Sequence, residues 1–167
     1  MKLSRITHES IPIFIDNQSS ILILGSLPSV KTREVGFYYG HPRNRFFLVL
    51  SKIFDEELPI SIEEKKTLLK KHHIALYDVI YECNIEGSSD ASIKNPKVID
   101  IKDILDKYPN IKKVAINGNK AKTLFDKCLL NIVNSFDIKI YYLPSTSPAN
   151  AKMKAENLVE AYSKIFD

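Results

Sequence analysis

The chain has 167 residues, 44% hydrophobic and 26% charged, with a net charge of +4 and a pI near 8.9. That length fits a single domain over residues 1–167 with a full hydrophobic core, and the composition is that of a globular protein without low-complexity segments. No apolar run is long enough to span a bilayer and the N-terminus lacks a signal-peptide pattern, so a cytoplasmic protein without a membrane partner is expected. The positive charge suits a polyanionic partner but is shared by many proteins that have none. Cys83 and Cys128 are far apart and form no metal spacing; they read as reduced, partly buried thiols, and no four-cysteine set exists for an iron–sulfur cluster.

In chain order, residues 1–18 carry Pro12 between short apolar groups and read as an arm packed on the domain. The run Ile21-Leu22-Ile23-Leu24 predicts a first strand. A helix is expected to begin at Pro42, whose missing N–H suits a first turn, with Phe46, Phe47, Leu50, Ile53 and Phe54 facing the core. Ser61 and Glu64 form a capping-box pattern for a helix running to about His72. Residues 74–80 predict a second strand, 83–96 a polar loop, and 98–108 a helix closed by Pro109. A short third strand, 114–116, turns through Asn117-Gly118-Asn119 into a helix over 120–130. The fourth strand, 138–143, ends in Pro144-Ser145-Thr146-Ser147-Pro148. The last helix follows, with Ala151, Ala155, Leu158, Val159, Tyr162, Ile165 and Phe166 on one apolar stripe.

Four strands separated by helices predict an α/β protein, a three-layer α/β/α sandwich around a four-stranded parallel sheet. Every strand is followed by a polar cluster, and in such a sheet these clusters gather along the carboxyl edge, where ligands bind. The richest is the stretch 25–50, which packs Gly25, Ser26, Pro28, Ser29, Tyr38, Tyr39, Gly40, His41, Pro42 and Asn44 between strand and helix. It reads as the floor and one wall of a nucleobase pocket. Neither GxGxxG nor GxxxxGK[ST] is present, so dinucleotide and P-loop readings lack their fingerprints.

Each motif also has a plain structural reading. GSLPS makes an ordinary turn. Phe37 reads as core, whereas Tyr38 and Tyr39 beside Gly40 also make a platform for stacking a flipped base. Asn44 suits a cap, yet its carboxamide is also able to hold a water. His41 reads first as a loop hydrogen-bonder. Ser147 suits an N-cap with Pro148 as first helical residue, while a helix N-terminus rich in hydroxyls, with Lys152 and Lys154 behind it, also suits phosphate. Asn117-Gly118 suits a turn and Asp90 a cap.

The spacing from Gly25 through Tyr39, His41-Pro42 and Asn44-Arg45-Phe46 resembles the first motif of the uracil-DNA glycosylase superfamily, and Pro144-Ser145 resembles its second. GSLPS, YYGHPRNRF, GSSDASI and LPSTSPANA together resemble the hypoxanthine-DNA glycosylase group, family 6, over about residues 21–151. Leu27 stands where most uracil-DNA glycosylases carry a water-activating Asp or Asn, and Leu143 where they carry His or Asn. In the family-6 group the water-handling role belongs to the Asn of HPxN, here Asn44. Two positions depart from that group: Ile85 replaces a usual Arg and Phe47 a frequent Trp.

The resemblance implies a uracil-DNA-glycosylase-like fold and a monofunctional DNA glycosylase that removes hypoxanthine from DNA containing a deaminated base. It implies no cofactor and no metal, and a monomer is expected. Asn44 would be catalytic. Gly25, Ser26, Leu27, Ser29, Tyr39, His41, Asp90 and Asn117 would meet the base, and Ser145, Thr146, Ser147 and Lys152 the DNA. The alternatives are a uracil-DNA glycosylase, an inactive damaged-DNA-binding module and, with no Asp cluster to support it, a nucleoside hydrolase.

Overall fold

The computed structural model describes residues 3–86 and 93–167. Its centre is a parallel sheet of β2 (Ile21–Gly25), β3 (Ile74–Asp78), β6 (Lys113–Asn117) and β7 (Lys139–Leu143), in the order β3-β2-β6-β7. All five residues of β2 and of β3 are buried, as strands covered on both faces must be. Helices flank the sheet as α1 (Val30–Val35), α2 (Phe46–Phe54), α3 (Ile62–Lys71), α4 (Ile101–Lys107), α5 (Asn119–Cys128), α6 (Leu130–Val133) and α7 (Ala155–Ser163). The layers are α/β/α, as expected. Strand order reverses at β2: β3 lies on one side, β6 and β7 on the other. The crevice between the ends of β2 and β6 is therefore the topological switch point, where a parallel sheet leaves room for a ligand.

A second sheet departs from expectation. The N-terminal arm holds β1 (Leu3–Thr7), and the polar loop holds β4 (Ile80–Glu86) and β5 (Ile93–Val98), antiparallel in the order β1-β4-β5. The apolar run 74–80 is thus shared between two sheets. β3 ends at Asp78; the Val79 and Ile80 N–H groups then donate to the Gly25 and Ser26 carbonyls, and the chain turns away as β4. Cys83 and Ile85 are buried with Ile6 and Ile80, and Leu27 packs against this small cluster. The short alternation Cys83, Ile85 among polar neighbours is the period-2 signal of a half-exposed strand.

Helix starts differ too. The Ser61–Glu64 capping box is present. The helix expected from Pro42 begins at Phe46, because residues 41–44 form a turn closed by Asn44 N–H to the His41 carbonyl, 2.9 Å. The expected helix 120–130 breaks at Leu129 into α5 and α6, and α4 starts at Ile101 behind Asp100, which caps it. The last helix begins at Ala155, not Pro148. Ser147 Oγ accepts from Ala149 N–H in a local turn, and Asn157 Oδ1 accepts from Lys154 N–H at the true start. Ser147 therefore caps no long helix, and Ala151 lies outside the apolar stripe. No helix among the described residues is long and apolar enough to cross a membrane.

Candidate active site

A cavity of about 890 Å³ opens at the carboxyl edge of the parallel sheet. Gly25, Ser26, Leu27 and Ser29 line it from the loop after β2, Tyr39, His41 and Asn44 from the approach to α2, Asn117 from the end of β6, and Ser145, Thr146 and Ser147 from the loop after β7. Eleven residues expected at the site from sequence thus share one space. Lys152 does not line it; it is exposed in the turn before α7. Asp90 lies outside the described residues.

Several of these side chains are already engaged. Ser29 caps α1, accepting from Thr32 N–H at 3.1 Å. His41 Nδ1 accepts from Arg43 N–H at 3.0 Å, so it carries its proton on Nε2. Asn44 Oδ1 accepts from Phe46 N–H at 2.9 Å, a local turn leading into α2 that orients the carboxamide while leaving this oxygen a second lone pair. The Asn117 carboxamide is a clamp: Nδ2 donates to Thr146 Oγ1 and Oδ1 accepts from Thr146 N–H, each at 3.2 Å.

Tyr39 occupies the left-handed region, with φ 54°, a conformation that costs a side-chain-bearing residue energy. One face of its ring lies on Phe46, centroids 4.1 Å apart and planes 18° apart, so only the opposite face remains for a base. Its hydroxyl is buried; among the described residues it makes no hydrogen bond of full geometry, with the Asn117 side chain beside it. Burial, with Asp78 nearby, raises its pKa well above the ordinary tyrosine value, so it stays a neutral O–H.

The loop after β7 is fastened from four sides. Arg45 N–H donates to the Thr146 carbonyl at 3.1 Å, and its guanidinium reaches the carbonyls of Met153, Ser147 and Asn150. Tyr162 Oη donates to the Pro144 carbonyl at 2.7 Å, and Asn150 Nδ2 to the Ser145 carbonyl at 3.0 Å. Gly118, with φ 94°, lets the Asn117 turn approach this loop: a β-carbon there would stand 3.1 Å from Ser145 Cβ.

Three residues escaped the reading from sequence. Arg45 was visible only as part of a motif, not as a clamp. Asp78 and His8 form a buried pair at the cavity floor, His8 Nε2 to Asp78 Oδ2 at 3.0 Å. Asp78 had a signal, being the sole charge within the apolar run 74–80. His8 had none, because the contact spans 70 residues.

This fold is shared with a solved relative. The solution NMR structure of a candidate uracil DNA glycosylase from Methanosarcina acetivorans matches with a TM-score of 0.80 and 26% identity, over 98% of this chain and 100% of that one. No protein-family model matches the chain. Among curated proteins, a hypoxanthine DNA glycosylase from Methanosarcina barkeri is 37% identical over 68% of this chain and 72% of its own length. A hypoxanthine DNA glycosylase from M. acetivorans is 31% identical over 93% of this chain and 95% of its own length. The chain belongs to the hypoxanthine DNA glycosylase family.

Proposed function

We propose that residues 1–167 form a DNA glycosylase that releases hypoxanthine from DNA carrying deoxyinosine, a deaminated base. The supporting observation is convergence: both motif loops, far apart in sequence, line one cavity at the switch point of the sheet, in a chain of this family. The volume is that of a small-ligand site, ample for one purine nucleotide. A base stacked in a duplex hides its glycosidic bond, so the nucleotide must be extruded into the cavity.

In the proposed reaction a water oxygen bonds to C1′ as the C1′–N9 bond breaks. The bond's electron pair leaves with the base, which ends protonated, while the water gives up a proton. Asn44 directs the water through the lone pair not used in accepting from Phe46 N–H. Tyr39 offers the ring face opposite Phe46 for stacking. The loop after β7 enters the gap left by the extruded base, and Ser145, Ser147 and Lys152 meet phosphates. Asn117 and Thr146 contribute by holding that loop rather than through free polar groups.

Uracil is the second reading, favoured by the description of the NMR relative. The test is alkali cleavage of duplexes carrying a single deoxyinosine, deoxyuridine or deoxyxanthosine, alongside the free nucleosides. Cleavage at deoxyinosine with the free nucleosides intact is the expected result. Binding without cleavage of any duplex would leave only a recognition module, and release from free nucleosides would make the protein a nucleoside hydrolase.

A further inference from the structure

The floor of the cavity holds a carboxyl group that the proposed reaction has not used. Asp78 ends β3, opposite Gly25 in the parallel register, and is 6% exposed. One oxygen, Oδ2, meets His8 Nε2 at 3.0 Å. The other, Oδ1, lies over Gly25, 2.5 Å from where a β-carbon would stand; only glycine leaves it that room. Gly25, Tyr39 and Asp78 all line the cavity, and no hydrogen bond engages Oδ1 among the described residues.

His8 determines what Oδ1 offers. Its Nδ1 is 2.7 Å from the Ile11 carbonyl, which only accepts, so Nδ1 carries a hydrogen. At Nε2 a proton must also lie between nitrogen and Oδ2, since two lone pairs would repel at that distance. That proton sits on His8, leaving a carboxylate, or on Oδ2, leaving a neutral imidazole. In either arrangement Oδ1 has no hydrogen and is an acceptor only. The ring is held in place by Tyr38, Tyr77 and Tyr81, at centroid distances of 6.0, 4.7 and 6.3 Å.

We infer that Asp78 Oδ1 reads the extruded base by accepting its ring N–H, and that His8 is the positioning residue that keeps Oδ1 an acceptor. The inference rests on the proposed function and names the residue that gives it selectivity. Hypoxanthine and xanthine carry a hydrogen at N1, and uracil at N3, each beside a carbonyl. Adenine at N1 and cytosine at N3 present a lone pair, which would face Oδ1 acceptor to acceptor. A buried mismatch of this kind discriminates by about 10⁴ or more. The pair therefore admits hypoxanthine and uracil and rejects their undamaged parents, adenine and cytosine; guanine carries N1–H as xanthine does, and Oδ1 does not separate those two.

The test is single-turnover release from duplexes carrying deoxyinosine or its 1-deaza analogue, in which C–H replaces N1–H in a ring of the same size and the displaced hydrogen moves to N3 or O6. Because the deaza change also alters the leaving base, the decisive quantity is the hypoxanthine-to-deaza rate ratio of the wild type divided by that of Asp78→Ala. A hydrogen bond to a charged group predicts a quotient of roughly 10–100. Asp78→Asn should keep most of the wild-type ratio. His8, with hydrogen on Nδ1, takes the amide N–H at Nε2 and leaves the amide oxygen facing the base. Adding His8→Phe to Asp78→Asn removes that constraint and should lower the ratio, with melting curves reporting whether each variant is folded. The wild-type comparison needs no variant to fold: equal release of hypoxanthine and its deaza analogue overturns the inference while leaving the glycosylase reading intact. A quotient near one overturns it likewise. Release of no base from any deaminated duplex overturns both.

Discussion

Asn44 carries two loads that a single substitution removes together. Its Oδ1 accepts from Phe46 N–H, the first residue of α2, and in the proposed reaction the same oxygen directs water. Asn44→Ala should cost about 1 kcal/mol of stability through the lost hydrogen bond and about 10²–10⁴ in single-turnover excision. Rates measured well below the melting temperature isolate the second effect; near wild-type excision there would remove Asn44 from the chemistry. Tyr39 poses the opposite case. A buried hydroxyl without a partner costs free energy, about 1–3 kcal/mol where nothing compensates. Tyr39→Phe should therefore melt no lower than wild type, and higher by as much as that penalty allows, while its ring still stacks on Phe46. A fall in melting temperature would mean that the hydroxyl has a partner in solution. Asn44 and Tyr39 were legible in the sequence as motif residues, because spacing marks them. That one accepts from Phe46 N–H and the other lies on the Phe46 ring was not, since both facts depend on where α2 starts.

Among the elements, the loop after β7 is rigid for reasons its own sequence does not contain. Arg45 reaches three of its carbonyls from a position about a hundred residues earlier. Arg45→Ala should release residues 144–154, seen as faster amide exchange there than in the parallel sheet, with excision reduced. Arg45→Lys should not restore protection, because one ammonium lacks the planar fork that spans several carbonyls. Unchanged exchange in Arg45→Ala would show that Asn117 and Tyr162 suffice. The strands β2 and β6 were readable because apolar runs mark doubly covered strands, and β7 from its Ile and Tyr residues, although as an edge strand it is only partly buried. The strands β1, β4 and β5 were not: β5 is largely exposed and carries Lys94, Asn95, Pro96 and Lys97, which read locally as loop. β5 pairs with its sequence neighbour β4, whereas the pairing of β4 with β1 is set by contacts distant in sequence. The same difficulty hid the start of α7, where Ser147-Pro148 has the chemistry of a helix start but forms a turn instead.

For the molecule as a whole, the parallel sheet brings its polar ends together and the small antiparallel sheet backs the cavity. Leu27 on one side rests against Ile6, Ile80, Cys83 and Ile85, and His8 reaches Asp78 from the N-terminal segment. Removing residues 1–8 should therefore impair base selection as well as stability. With a net charge of +4, duplex binding should weaken steeply with salt, and Lys152→Ala should reduce affinity for damaged and undamaged DNA alike. Unchanged affinity at low salt would place the strand on another surface. That the polar clusters gather at the carboxyl edge of a parallel sheet follows from alternating strand and helix patterns already visible in the sequence; the reversal of strand order at β2 does not, nor does the occupant, because uracil and hypoxanthine present the same carbonyl and N–H. In the proposed reaction size separates them, since a purine would cover more of the Tyr39 ring. The most direct measurement is single-turnover release of hypoxanthine, uracil and adenine from duplexes otherwise identical. Hypoxanthine leaving well ahead of uracil, with adenine retained, is the predicted result; uracil leaving faster, or adenine leaving at all, would contradict it.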